Sequence, residues 1–262
     1  MRVALGLRYW GGAYHGWQSQ PSGQTVQDRL EHALGQLLND TPPRVMCAGR
    51  TDTGVHALQQ VVHFDTEANR PLQAWVRGTN RHLPHDVAVQ WAHPVPPSFH
   101  ARGSAQSRRY AYVLLQSPVR PRLEHGRVGW VFQPLNLHAM AHALQIVLGT
   151  HDFSSFRAAQ CQAASPVKTM LRASVKQVGA YLRFDFEADA FLHHMIRNIL
   201  GCVLQVGKGN RPATWLHEVL AARNRDAAAP TFAAEGLYFL GPVYAAHWGL
   251  PTHEPQGWLP GD

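Results

Sequence analysis

The chain is poor in lysine, in cysteine and in long apolar runs. Lys168, Lys176 and Lys208 are its only lysines, so arginine supplies nearly all of the 24 cations. Cys47, Cys161 and Cys202 are odd in number and far apart, which excludes a disulfide framework and a paired CxxC zinc site. That usage points to a reducing, cytoplasmic setting. No apolar stretch approaches the roughly 18 residues of a membrane helix. Met1-Arg2-Val3-Ala4-Leu5 already alternates like a strand, so no signal peptide is expected. Acidic residues are also few, 17 against 24 cations, which leaves a net charge of +7.

That excess fits a polyanionic partner, and arginine offers a planar fork for phosphate and a face for stacking on bases. An arginine-rich codon bias explains it equally well. Hydrophobic residues form 45% of the 262, which excludes disorder as the main state and suits one large domain or two of about 130 residues.

Val3, Leu5, Leu7 and Tyr9 share one face of a first strand. Thr25 with Asp28 three residues on resembles a capping box and opens a helix over about 25–39, stopped by Pro42 and Pro43. Strands at 44–47 and 60–65, a helix over 71–81 and a strand at 87–91 complete a βαββαβ order. The order returns after residue 104: a strand at 108–115, a helix at 138–148, strands at 171–178 and 181–187 joined at Gly179-Ala180, a helix at 191–206, a short helix at 213–223 and a strand at 237–245. The expectation is an α+β chain of two tandem ferredoxin-like (βαββαβ) units with antiparallel sheets, residues 1–103 and 104–262.

The first unit differs by a long polar link between its middle strands, Ala48-Gly49-Arg50-Thr51-Asp52-Thr53-Gly54-Val55-His56-Ala57. Asp52 reads either as a local turn former accepting backbone N–H groups or as an ionised carboxylate beside an arginine, ready for nucleophilic or electrostatic work.

This link, followed by Gln60-Val61-Val62-His63-Phe64, resembles the signature of the TruA family of tRNA pseudouridine synthases. The resemblance spans nearly the whole chain, through Tyr14-His15-Gly16-Trp17-Gln18, Val26-Gln27, Phe99-His100-Ala101-Arg102, Arg108-Arg109-Tyr110, His151-Asp152-Phe153-Ser154-Ser155-Phe156, Phe191-Leu192-His193-His194-Met195-Ile196-Arg197-Asn198 and Ala234-Glu235-Gly236-Leu237-Tyr238. It implies conversion of uridine to pseudouridine at positions 38 to 40 of the tRNA anticodon stem-loop, without cofactor or metal, by a homodimer. It further implies Asp52 as nucleophile, Tyr110 as the tyrosine that stacks on the flipped base and is a candidate to take the C5 proton, and Arg197 as the cation paired with the nucleophile. Arg50 is expected to contact the RNA backbone or to help hold the displaced nucleotide, and the antiparallel sheets to form a central RNA-binding cleft flanked by Arg102, Arg108 and Arg109. Phe99, His100, Ala101, Arg102 and Gly103, and Gln160, Cys161, Gln162, Ala163 and Ala164, correspond to two RNA-contact stretches. Gly103 stands where an aromatic is usual, Ala163-Ala164 lack a usual polar or basic group, and Thr53 replaces the commoner alanine.

The competing readings are a non-catalytic RNA-binding protein on the same scaffold, which would not need Asp52, Tyr110 and Arg197 together, and a metal-dependent hydrolase suggested only by 17 histidines. The pairs His82/His85, His138/His142 and His193-His194 have no third ligand nearby in sequence, so no metal is expected.

Overall fold

A computed structural model of the chain describes residues 1–251; the end of the expected second unit, 252–262, lies outside the described residues. The chain is mixed α/β, with mostly antiparallel strand pairings and five α-helices among the described residues. Two compact units divide the described residues: Met1–Arg108 with residues 238–251, and Arg109–Leu237.

In the first unit, β1 (Arg2–Tyr9) lies between β3 (His56–Asp65) and β4 (Val87–Val95), antiparallel to both. The two-residue β2 (Met46–Cys47) pairs with β3 on its other side. β10 (Leu237–Tyr244) runs parallel to β3 at Tyr238 and Phe239. Two helices cross this sheet and pack on each other, α1 (Val26–Leu38) and α2 (Leu72–His82). The expected cap is present: the Asp28 amide donates to Thr25 Oγ1 at 3.3 Å, and the Thr25 hydroxyl donates to the Asp28 carboxylate at 2.5 Å. One apolar cluster seats Ala48, Phe99 and Ala101 on Ala4, Val61, Trp91 and Val95.

In the second unit, β5 (Ala105–Gln116), β9 (Tyr181–Ala188), β8 (Val167–Val178) and β7 (Gly149–Asp152) follow one another across the sheet, and β6 (Gly129–Val131) pairs in parallel with β5. Helix α3 (Leu137–Ile146) packs on β8 and on α4 (Met195–Gly207); α5 (Trp215–Ala222) follows. The β8–β9 turn is Gly179-Ala180, with Gly179 at φ +59°.

Four elements depart most from the sequence expectation. β3 starts at His56, which shortens the polar link to residues 48–55, because His56 and Ala57 are already buried in the sheet. β6 and β7 are too short for a period of two to reveal. α4 starts at Met195 rather than 191: His194 sits at φ +63°, and the preceding His193 bonds outside the helix, its amide to Cys161 Sγ at 3.4 Å and its carbonyl to the Ala158 amide. His193 is therefore not stacked one helical turn below Arg197.

Candidate active site

Residues 48–55 are built so that their backbone is fixed from several elements while the central carboxylate stays reachable. The Gly49 carbonyl accepts from Gln60 Nε2 of β3 at 2.6 Å. The Thr51 carbonyl accepts the Trp17 amide at 3.0 Å, and its hydroxyl shares a 2.8 Å hydrogen bond with the Tyr9 hydroxyl of β1. Val55 closes the turn by donating its amide to the Asp52 carbonyl at 3.1 Å, with Gly54 at φ +80°. Asp52 is half-buried and flanked by exposed Arg50 and Thr53, whereas Thr51 and Val55 are buried.

The segment after β1 braces this loop. Gly16 has φ +84°, and a Cβ there would stand 2.7 Å from the Thr51 carbonyl oxygen. Gly11 lies so close to Val55 that any side chain would strike its carbonyl, and the Gly11 amide donates to His56 Nδ1 at 3.0 Å. Beneath the loop, Tyr9 packs against Trp17 with centroids 5.9 Å apart. Burial drives the Tyr9 hydroxyl far above the usual tyrosine range, against the opposing pull of hydrogen bonds to Thr51 and Gln60, so it stays protonated and acts as a structural donor or acceptor. Burial likewise pushes the Cys47 thiol up to about 11, although Arg50 and Arg102 both pull it down. Both arginines are exposed.

The stretch Phe99–Gly103 is largely turned inward. Phe99 and Ala101 are fully buried. The Arg2 guanidinium donates to the Pro97 and Phe99 carbonyls at 2.6 and 2.8 Å, and the Tyr244 hydroxyl donates to that of Ala101 at 2.5 Å. His100 Nδ1 accepts the amides of Arg102 and Gly103, both at 3.1 Å, so this nitrogen carries no proton. Only Arg102 and Gly103 face solvent fully; His100 is half-buried. His63 Nδ1 accepts the Ala101 amide at 3.1 Å, and burial lowers this histidine to about 4, with His100 and Arg2 adding to the shift against Asp65.

In the second unit Tyr110 is buried, its ring edge-on to Phe191 at 5.1 Å. Arg197 and Gln205 are the two positions of α4 that are not buried. The Arg197 Nε donates to the Phe232 carbonyl at 2.8 Å, and the Phe232 amide returns a 3.1 Å bond to the Arg197 carbonyl. One residue on, buried Asn198 donates to the Phe156 carbonyl at 2.8 Å and accepts from Thr231 and Arg225 at 2.6 and 3.3 Å. In the stretch 160–164, Gln160 and Gln162 are exposed or nearly so, and Arg157 gathers the Cys161 and Ala163 carbonyls at 2.7 and 2.9 Å. Partial burial raises the Cys161 thiol, but N–H donation from His193 and Ala163 and the Arg157 charge outweigh it, leaving it below an ordinary cysteine.

Within the first unit the structure thus brings Arg50, Asp52 and Arg102 to neighbouring loops. Within the second it places Tyr110 beside Phe191, and Cys161 against His193. The supports of the loop, Tyr9, Gln60, Gly11 and Gly16, had no assigned role in the sequence reading. Gln60 left a readable trace, a polar side chain at a core position of a strand that continues Val61-Val62-His63-Phe64.

Asp52 thus offers a half-exposed carboxylate on a backbone-locked loop at the entrance to β3, a placement compatible with a nucleophilic or an electrostatic carboxylate. A family model described as tRNA pseudouridine synthase matches residues 7–102 and 143–245. The chain belongs to that family. A relative from Polaromonas naphthalenivorans called tRNA pseudouridine synthase A is 63% identical over 265 residues, covering 99% of this chain and 100% of its own. One of the same name from Methylibium petroleiphilum is 62% identical over 261 residues, with 99% and 100% covered. A third, from Albidiferax ferrireducens, is 62% identical over 255 residues, with 97% and 98% covered.

Proposed function

We propose that this chain isomerises uridine to pseudouridine at positions 38 to 40 of the tRNA anticodon stem-loop, with Asp52 as the reacting carboxylate. The observation that carries the reading is the loop itself: the backbone on both sides of Asp52 is pinned, while the carboxylate stays within reach of a substrate. In the reaction Asp52 attacks uridine at C1′ or at C6 and the N1–C1′ bond breaks. The base turns, a C5–C1′ bond forms and the bond from Asp52 to C1′ or C6 breaks, which restores the free carboxylate; C5 loses its proton and N1 gains one. Atoms and electrons balance without redox chemistry, so no cofactor or metal enters.

Tyr110 is assigned the stacking face for the extruded base and Arg197 the charge that keeps the nucleophile ionised, both from the family pattern. Base extrusion exposes reacting atoms that stacked RNA hides, at a cost of roughly a few kcal/mol. Arg50 and Arg102 are assigned to RNA phosphates because both are exposed beside the loop. The stretches Phe99–Gly103 and Gln160–Ala164 serve as RNA-contact segments, the first through Arg102 and Gly103 rather than through buried Phe99 and Ala101.

The element orders β1-α1-β2-β3-α2-β4 and β5-α3-β8-β9-α4-β10 support two tandem ferredoxin-like patterns along the sequence, the residues 1–103 and 104–262 of the sequence reading, with β10 closing the second order while grouping with residues 1–108. We assign a cytoplasmic homodimer; exposed Val119, Leu123, Trp130 and Phe132 fall within one short segment of the second unit and favour a covered surface there. Light scattering at twice the 29.1 kDa chain mass is the expected result.

Release of tritium from tRNA labelled at uridine C5 tests the central reading. Asp52→Ala is expected to release none while holding tRNA within about tenfold of the native affinity, since phosphate contacts dominate binding. Turnover in that variant overturns the assignment. Loss of turnover together with loss of folding is separated by a melting curve on the same sample.

A further inference from the structure

We infer that Arg108 is a positioning residue that ties the root of the Asp52 loop to the Arg102 turn, rather than one of the cations that hold RNA phosphates. From sequence, Arg108 stands with Arg109 and Tyr110 in a basic stretch and reads as part of an RNA-facing surface. Its guanidinium instead converges on main-chain carbonyls. Nη2 donates to the Arg102 carbonyl at 2.5 Å and to that of Ala48 at 3.3 Å, Nε donates to the same Ala48 oxygen at 3.4 Å, and Nη1 donates to the Ala105 carbonyl at 3.3 Å.

The two ends of this clamp matter. Ala48 is 1% exposed and directly precedes Gly49, so its carbonyl is a buried acceptor at the loop's entrance. Its own amide is held by the Val61 carbonyl of β3 at 2.8 Å. Arg102 caps the turn in which His100 Nδ1 takes two consecutive amides. Gln60 and Trp17 fix the carbonyls of Gly49 and Thr51. With Arg108 on Ala48, donors from β5, β3 and the segment after β1 hold three of the four carbonyls that run from Ala48 to Thr51. Arg108 alone among them also grips a second loop.

Arginine suits this role for a physical reason. Its planar head carries five N–H groups in a fixed fork and keeps its charge, so three carbonyls can be served in diverging directions. Lysine brings a similar charge on a flexible stem with one donor nitrogen, and reaches one or two of them. A displacement of about 1 Å in a reacting group costs on the order of a hundredfold in rate, which is the scale on which a loosened loop root would act.

The inference rests on Asp52 being the reacting carboxylate, so Asp52→Ala is measured alongside. The measurements are single-turnover pseudouridine formation on unmodified tRNA at saturating enzyme, the salt dependence of tRNA affinity, and amide hydrogen exchange. Arg108→Lys is expected to slow turnover about tenfold and Arg108→Met about a hundredfold. Exchange should quicken at residues 49–54 and 101–104, and the salt slope should stay at its native value. Arg102→Gln should lower that slope by about 1. If Arg108→Met does not fold, the lysine variant decides. The inference is overturned if folded Arg108→Lys keeps the native rate and native exchange, or if its defect lies in affinity and salt slope with the rate unchanged. Turnover by Asp52→Ala defeats the reading of the site; an inactive Asp52→Ala beside fully active Arg108 variants defeats only the role of Arg108.

Discussion

At the scale of single residues, the site depends on groups that never touch a substrate. Gly16 is the sharpest case, because it combines φ +84° with a close approach to the Thr51 carbonyl. Gly16→Ala is expected to lower stability by about 1–2 kcal/mol, from the left-handed backbone and the steric contact together, and to slow turnover by on the order of a hundredfold. Gly23→Ala isolates the first term: Gly23 sits at φ +64° in the same segment with nothing within 4 Å of its would-be Cβ. That variant should lose about 1 kcal/mol and keep its turnover. Equal losses of turnover in the two would show that the close approach is irrelevant. His63 offers a second test at this scale. Its folded value of about 4 lies below the usual 6.5, so the unfolded chain binds the proton first as pH falls. The stabilisation tied to neutral His63 is complete above about pH 6.5 and is lost as pH drops towards 4. His63→Asn keeps an acceptor for the Ala101 amide without the titration. Its melting temperature should therefore decline less steeply than that of the native chain between pH 6.5 and 4, on the order of 1 kcal/mol over the window. Parallel declines in a pH series of thermal melts would assign the effect to other groups.

At the scale of elements, helix boundaries set by side chains were legible in the sequence, whereas boundaries set by tertiary bonds were not. Thr25 and Asp28 announce the start of α1, and the structure uses both. Thr25→Ala should cost about 1 kcal/mol and lower the melting midpoint by about 2–4 °C, with a smaller effect on turnover than Gly16→Ala, because the start of α1 meets residues 48–55 at one remove, through the Val26 and Gln27 amides on the Gly16 and Trp17 carbonyls. A shift in turnover as large as that of Gly16→Ala would contradict that separation. The start of α4 had no such signal. Leu192, Ile196, Ile199 and Val203 keep helical spacing through residues that are not helical, and what stops the helix at Met195 is the left-handed His194 and the bonds of His193 to Cys161 and Ala158. Periodicity reads burial, and the apolar stripe is buried on both sides of that boundary, at Leu192 before it and at Ile196 after it. The Asp52 loop was legible for a related reason: a ten-residue link, Ala48 to Ala57, where a tight turn would suffice calls for an explanation, and the structure shortens it to residues 48–55. Its supports were not, because Tyr9 and Gln60 are interior positions of strands and only the third dimension shows what they hold.

At the scale of the whole molecule, the net charge of +7 divides into arginines with different work. Arg2 is committed to Asp65 and to the Pro97 and Phe99 carbonyls. Arg183 is paired with Asp185 at 3.0 Å, both nearly buried. Arg157 and Arg108 serve main-chain carbonyls. A cation whose N–H groups are spent on the protein's own backbone adds little counterion release, because it does not neutralise a phosphate. Arg50 and Arg102 differ from these in lying exposed at the surface. Total charge therefore overstates the electrostatic part of RNA binding, and substitution should sort the arginines into two groups. Affinity for tRNA should fall steeply as salt rises, with a slope near −0.7 to −0.9 per phosphate neutralised. Arg50→Gln and Arg102→Gln should each lower the magnitude of that slope by about 1, and together by about 2, while Arg157→Gln leaves it near the native value. Filter binding from about 50 to 200 mM salt measures this directly. If all four arginines, including Arg108, shift the slope alike, charge acts as a diffuse field and the division by exposure has no bearing on binding. If only the exposed pair does so, the exposure of each guanidinium, rather than the number of arginines, sets how tightly this chain holds RNA.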